Sequence, residues 1–370
     1  MGGSHKSRAV QLSIPCAEAG PYVQGAREFL DASERLGIGH SETYGLKCQL
    51  ALSFFHLREQ LEASQTDPIP LFRDALRRYA AAMQACADIR SGVDLDVGLR
   101  EDPPDAASMT AAHYGSLFAE FDAYHYYEEP VKLLRPRLER NGFPLGDLDG
   151  IALDAGCGNG RYAVALRKLG FRRAIGVDFS PINIDTARRH LEGTGMEDEI
   201  RYTEGNVLDL PVPDGSCSFV FSNGVLHHTG NIAKGLAEIY RVLKPGGISY
   251  FRILPNPGGI YWDVVELTRF LLHDVPYEFA RRFLALSGVP ANRRYYILDH
   301  TMVPINERLT AAECETLISE AGFRTYVRCT RGADIDPLEQ IYRRVPFARE
   351  KYGDGINLYR LTKSLREGLS

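Results

Sequence analysis

In the first hundred residues apolar side chains recur every three or four positions: Leu46, Leu50, Phe54, Leu57 and Leu61, then Phe72, Leu76, Tyr79 and Met83. That period stripes one face of a helix, so it predicts two amphipathic helices. Asp67-Pro68-Ile69-Pro70 separates them, because its prolines end one helix and open the next. Both stripes need a partner, which could be the rest of the chain, a substrate-side cap or a second copy. Arg100-Glu101-Asp102-Pro103-Pro104-Asp105 reads as a linker. From Ser108 to Arg140 the period is again helical but crowded with aromatic rings, among them Tyr114, Phe118, Phe121, Tyr124, Tyr126 and Tyr127, with His113 and His125 between them.

The pattern then changes to short apolar runs alternating with helical stretches, which predicts an α/β sheet. Leu153-Asp154 closes one run and feeds Ala155-Gly156-Cys157-Gly158-Asn159-Gly160, ahead of a predicted helix over 161–169. A second run, Ala174-Ile175-Gly176-Val177-Asp178, also ends in an acid. Further strands are predicted at Ile248–Arg252, Phe323–Arg328 and Ile356–Thr362, with a helix over Thr310–Glu320. Some fifty residues from about 255 to 308 interrupt this alternation. They carry Tyr261, Trp262, Phe270, Phe279, Phe283, Tyr295 and Tyr296, and read either as a lid or as an added helical layer.

Glycine at 156, 158 and 160 suits a backbone that bends sharply and lets a ligand lie against it. The helix that follows presents unpaired N–H groups, which favour an anionic group. A dinucleotide loop is spaced G-x-G-x-x-G, whereas here the spacing is G-x-G-x-G. That spacing, with the acid at Asp178, the block Gly205-Asn206-Val207-Leu208-Asp209-Leu210-Pro211, the block Ser218–His228 and Arg241–Gly247, resembles the class I S-adenosylmethionine-dependent methyltransferases. The resemblance is closest to the subgroup that includes the ubiquinone/menaquinone-biosynthesis enzymes, and it covers about residues 150–252, more loosely to 364.

The resemblance implies a seven-stranded, mostly parallel Rossmann-like sheet ending in a reversed hairpin, in a methyltransferase domain over 106–370, while the helical period before the linker marks 1–105 as a helical extension. It implies S-adenosylmethionine as cofactor and S-adenosylhomocysteine as product. The methionine end would lie on Asp154, Gly156, Cys157, Gly158 and Gly160, the ribose on Asp178 beside Phe179, and the adenine at Asn206 and Val207, with Asn223 close by. The family usually has Asp where this chain has Asn206, whose carbonyl can still accept from the adenine amine. Glu128 could approach the amino group of the cofactor.

At 370 residues the chain exceeds one ordinary domain. Its net charge of -5 argues against a dedicated nucleic-acid surface. The absence of a long apolar run argues against a membrane span, so a cytoplasmic enzyme is expected. Seven cysteines without C-x-x-C fit reduced thiols better than disulfides or zinc, and no H-x-x-H or H-E-x-x-H spacing points to metal.

Methyl transfer leans on the cofactor for reactivity, so few catalytic side chains are expected. A hydroxyl or carbon acceptor needs a base, for which His227 and His228, past the fourth strand, are candidates. Tyr114 and His125 are the candidates from the aromatic segment. Arg281-Arg282 and Arg293-Arg294 could face an anionic acceptor or solvent, and Asp299-His300 is a further acid and histidine pair. The expected acceptor is a small molecule, with a homodimer through the N-terminal helices or the lid as a possible assembly. Two other readings stay open: a related fold that uses the bound cofactor for a non-methylating reaction, and a non-catalytic partner subunit.

Overall fold

The computed structural model describes residues 20–37, 39–90, 123–145 and 148–365. The helical segment opens with α1 (Gly20–Leu36), α2 (Tyr44–Ala63) and α3 (Pro68–Arg90), and after a π-turn at Tyr124–Glu128 comes α4 (Glu129–Glu139). Strand and helix then alternate as β1 (Leu148–Ala155), α5 (Arg161–Lys168), β2 (Phe171–Asp178), α6 (Pro181–Leu191), β3 (Ile200–Glu204), β4 (Cys217–Asn223), α7 (Ile232–Val242) and β5 (Leu243–Ile253). Helices α8 (Gly259–Leu272), α9 (Tyr277–Leu286) and α10 (Ala291–Met302) form the insertion. The chain closes with α11 (Ala311–Glu320), β6 (Thr325–Arg328), α12 (Pro337–Tyr342), α13 (Ala348–Tyr352) and β7 (Asn357–Thr362).

These elements fall into two compact units, one comprising 1–103, 257–302 and 346–353, the other the remainder. In the helical unit the predicted stripes are buried: Phe54, Phe72, Leu76 and Met83 have no exposed surface. They share one apolar cluster with Tyr22, Phe29 and Leu36 of α1 and with Val264 and Leu267 of α8. Helix α1 packs on α3 at Gly25, where an added Cβ would stand 3.4 Å from Leu76 Cβ, an ordinary contact. The insertion is therefore part of the same core as the N-terminal helices. A second cluster joins Phe55 of α2 to Leu272, Leu284 and Leu298. Lys47 and Asp274, both nearly fully buried, pair at 2.7 Å within this unit.

The other unit is a seven-stranded sheet in the order β3-β2-β1-β4-β5-β7-β6. Strands β1 to β5 pair in parallel, and β7 runs antiparallel between β5 and β6. The middles of β1 (Ile151-Ala152-Leu153) and β4 (Phe219-Val220-Phe221) are continuously apolar, as expected where helices cover both faces of a parallel sheet. Strand order reverses between β1 and β4, and ligands of such sheets bind outside the carboxyl ends of the strands at that point. The glycine loop leaves β1 there.

Candidate active site

Gly156 and Gly160 both sit at φ +85 and Gly158 at φ +52, values that side chains rarely adopt. Protein neighbours demand glycine too. A Cβ on Gly156 would stand 2.5 Å from Val225, and one on Gly160 2.5 Å from the Tyr202 ring. Tyr202 on β3 donates to the Gly160 carbonyl at 2.9 Å, and Tyr126 of the π-turn donates to the Asn159 carbonyl at 2.7 Å. Two buried tyrosines thus fix the end of the loop.

Asp178 clasps the loop from the end of β2. Its Oδ2 accepts from the Gly158 N–H at 2.8 Å, while Oδ1 accepts from the Ser180 N–H and from Asn183 Nδ2, each at 3.0 Å. An ionised carboxylate offers about four acceptor positions. Three protein donors occupy Asp178, which leaves capacity for a hydroxyl. Phe179 beside it is 57% exposed, an aromatic face open next to that carboxylate.

Asp154, at the end of β1, is buried. Burial first, then the nearby Asp178 charge, push its carboxyl up to about 8, and the Ala163 N–H and Arg161 pull back without offsetting this. Its Oδ2 has no hydrogen-bond donor, and Nδ2 of buried Asn159 in the loop has no acceptor. An unmet acceptor and an unmet donor therefore flank the glycines. Cys157 is buried, and burial raises its thiol well above the usual range, so it serves as a small neutral side chain.

Just past β3, Asn206 is exposed and its Oδ1 accepts from the Leu208 N–H at 2.9 Å, closing an Asx turn, while Val207 is buried. The carbonyl anticipated for adenine is thus shared with the backbone. At the end of β4, Asn223 Oδ1 accepts from Arg252 Nη1 at 3.3 Å.

The paired histidines differ from one another. His227 is 3% exposed. Its carbonyl accepts from the Glu307 N–H, and its ring packs 3.9 Å from that of His228. His228 is half-buried and its Nδ1 lies 2.7 Å from the Ile305 carbonyl. A carbonyl only accepts, so Nδ1 carries the proton and Nε2 is the basic nitrogen of the neutral ring.

His125 lies in the π-turn, where its carbonyl accepts from Arg161 at 3.4 Å, and Glu128 pairs with Lys168 at 2.8 Å. Tyr114 and the linker at 100–105 lie outside the described residues. In the helical unit Arg281 and Arg282 both pair with Glu278, holding its carboxyl down at about 2, Arg293 pairs with Glu59, and Arg294 donates to the Val289 carbonyl. His300 Nδ1 lies 2.8 Å from the Tyr296 carbonyl. Among the described residues no group of three or more His, Cys, Asp or Glu is placed to hold a metal ion, and no helix is long and apolar enough to cross a membrane.

Asn183 and Tyr202 are not named by the sequence reading, and Asn159 and Tyr126 appear in it only as members of the loop motif and the aromatic segment, without a site role. Asn159 sits inside the loop motif itself, so that motif was the available signal; the tyrosines act through tertiary contacts alone.

A family model described as a methyltransferase domain matches residues 153–251. The chain is 36% identical over 150 residues to a malonyl-[acyl-carrier protein] O-methyltransferase of Yersinia pestis, and spans 50% of that protein's length with 40% of its own. It is 32% identical over 184 residues to a demethylmenaquinone methyltransferase of Deinococcus radiodurans, covering 68% of that protein and 48% of this chain. To a dimethylglycine N-methyltransferase of Parasynechococcus marenigrum it is 32% identical over 242 residues, covering 85% of that protein and 58% of this chain.

Proposed function

The chain belongs to the class I S-adenosylmethionine-dependent methyltransferases, and on that premise we propose that it methylates an oxygen, nitrogen or carbon atom of a small-molecule acceptor. The cofactor supplies an electrophilic methyl group on a sulfonium, and the protein supplies position, dryness and, for some acceptors, proton removal.

The observation that carries this reading is the unmatched pair at the glycine loop, Asp154 Oδ2 and Asn159 Nδ2. An amino-acid tail brings an ammonium for the first and a carboxylate for the second, and this complementarity supports the methionine end of the cofactor as the ligand of the loop. Asp178 keeps acceptor capacity for a ribose hydroxyl, Phe179 offers an aromatic face beside it, and Val207 supplies an apolar wall for adenine. Asp154 holds the ammonium as a charged acceptor only after losing its proton.

His228 is the base in this reading when the acceptor carries a hydroxyl or an acidic C–H. Its Nδ1–H, committed to the Ile305 carbonyl, orients the ring. His227, nearly enclosed, sets the position of its neighbour. The curated relatives are named for acceptors as different as malonyl-[acyl-carrier protein], demethylmenaquinone and dimethylglycine, so their names do not select the acceptor atom.

The test is transfer of labelled methyl from the cofactor to a panel of phenols, amines and keto acids. Candidates are chosen by the extra rise in melting temperature they give in the presence of S-adenosylhomocysteine. Label appearing in one class supports the proposal, and label that stays on the cofactor with every class contradicts it.

A further inference from the structure

The helical unit holds an open cleft of about 550 Å³ between α2 and the turn that joins α9 to α10. Arg58 lines it, with a side chain only 5% exposed. Its guanidinium carbon lies 4.7 Å from the centre of the Phe55 ring and 4.6 Å from the centres of both Tyr261 and Tyr296. Rings against the faces of a planar cation leave its N–H donors to the edge.

At that edge Nε stands 3.5 Å from Glu62 Oε1, yet neither Nε nor Nη1 has a hydrogen-bond acceptor, and Oε1 has no donor. Burial raises the Glu62 carboxyl above its usual range despite Arg58 and Lys351, which weakens it as a counter-charge. The neighbouring cations are committed elsewhere. Lys351 donates to the Glu62 and Ser64 carbonyls, and Arg293 pairs with Glu59. A buried cation whose donors are unmet is costly. An oxygen anion forking onto its edge removes that cost through charge-assisted hydrogen bonds.

We propose that this cleft is a binding site, separate from methyl transfer, for a small organic oxyanion whose charged group pairs with Arg58 and whose apolar body lies against Leu52, Val289 and Tyr296. The volume falls within the roughly 300–1,000 Å³ typical of metabolite pockets.

Calorimetry on the full chain with benzoate and with phenyl phosphate tests the site and separates a carboxylate from a phosphate source. One of the two probes is expected to bind saturably. Its affinity should fall at least about tenfold in Arg58→Met, as expected for loss of one charged hydrogen-bonding partner. It should fall likewise in Ser287→Trp, which places a bulky side chain at the exposed rim of the cleft. S-adenosylhomocysteine binding, measured alongside, is expected to be unchanged in both variants. Its loss in a folded variant would contradict the separation of the cleft from methyl transfer, whereas its absence from the native protein would count against the methyltransferase site alone. If Arg58→Met does not fold, Ser287→Trp decides. Neither probe binding the native protein, or binding that survives in the folded variants, overturns the proposal.

Discussion

Asp178 accepts a hydrogen bond from the backbone N–H of Gly158 at 2.8 Å, so the acid that ends β2 holds the ligand loop that leaves β1. With Ser180 and Asn183 on its other oxygen, the carboxylate is a structural clasp before any sugar reaches it. Asp178→Ala should therefore destabilise the protein even without cofactor. Hydrogen bonds to a charged group contribute about 1.5–3 kcal/mol each, so the loss should be at least about 2 kcal/mol by chemical denaturation. Asp178→Asn, which keeps one carbonyl acceptor, should lose less. An unchanged midpoint in Asp178→Ala would contradict the clasp.

Asp154 makes stability depend on pH in a known direction. Its folded carboxyl titrates near 8, whereas an unfolded aspartate titrates near 4. Between those values the folded state binds more protons, so its stability falls as pH rises through that window. Asp154→Asn should flatten this slope between about pH 5 and pH 8 in thermal melts. Cofactor binding has the opposite sign: an ammonium favours the ionised carboxylate, so affinity for S-adenosylhomocysteine should rise over the upper part of the window with release of a proton. Calorimetry in buffers of different ionisation enthalpy reads that proton directly, and buffer-independent enthalpies would refute the assignment.

Gly160 is constrained twice, by φ +85 and by the Tyr202 ring 2.5 Å from where a Cβ would sit. Gly215, at φ +61, faces open space. Gly160→Ala should accordingly cost at least about 2 kcal/mol and weaken cofactor binding, whereas Gly215→Ala should cost about 1 kcal/mol and leave binding alone. Equal costs at the two positions would show that Tyr202 yields and does not fix the loop.

The two histidines should separate kinetically. With a hydroxyl acceptor, His228→Gln should lower kcat by about a hundredfold, the usual contribution of a general base, and remove the low-pH limb of the rate profile while KM for the cofactor stays put. His227→Leu, at a nearly enclosed position, should act chiefly on stability. A His228→Gln enzyme of native rate would return both residues to packing.

The sheet was legible where burial made the sequence monotonous. Leu153 and Ile175-Gly176-Val177 are apolar because helices cover both faces, and an acid, Asp154 or Asp178, marks the carboxyl end of each strand. Strand β3 escaped notice because Ile200–Glu204 is five residues long at a sheet edge, and Arg201 and Glu204 break its apolar run. Helix α1 was missed for a related reason: Ala26 and Ala32 are fully or nearly buried but add little to an apolar stripe. The spacing of the loop glycines was read as room for a ligand. Val225 and Tyr202, far along the chain, supply an additional reason that no local pattern contains. The same holds for Asn206, whose Asx turn depends on backbone direction, and for the unequal burial of two adjacent histidines. In the helical unit the predicted stripes were visible, but nothing in their spacing indicated that the insertion of residues 255–308 would share their core.

The account rests on the methionine end of the cofactor occupying the glycine loop, and calorimetric titration of S-adenosylhomocysteine into native protein and Asp178→Ala tests it most directly. One site per chain on the native protein, weakened at least about tenfold in the variant, as for loss of a charged hydrogen-bonding partner, is the predicted result. No binding to the native protein, or equal affinity in the folded variant, would contradict it.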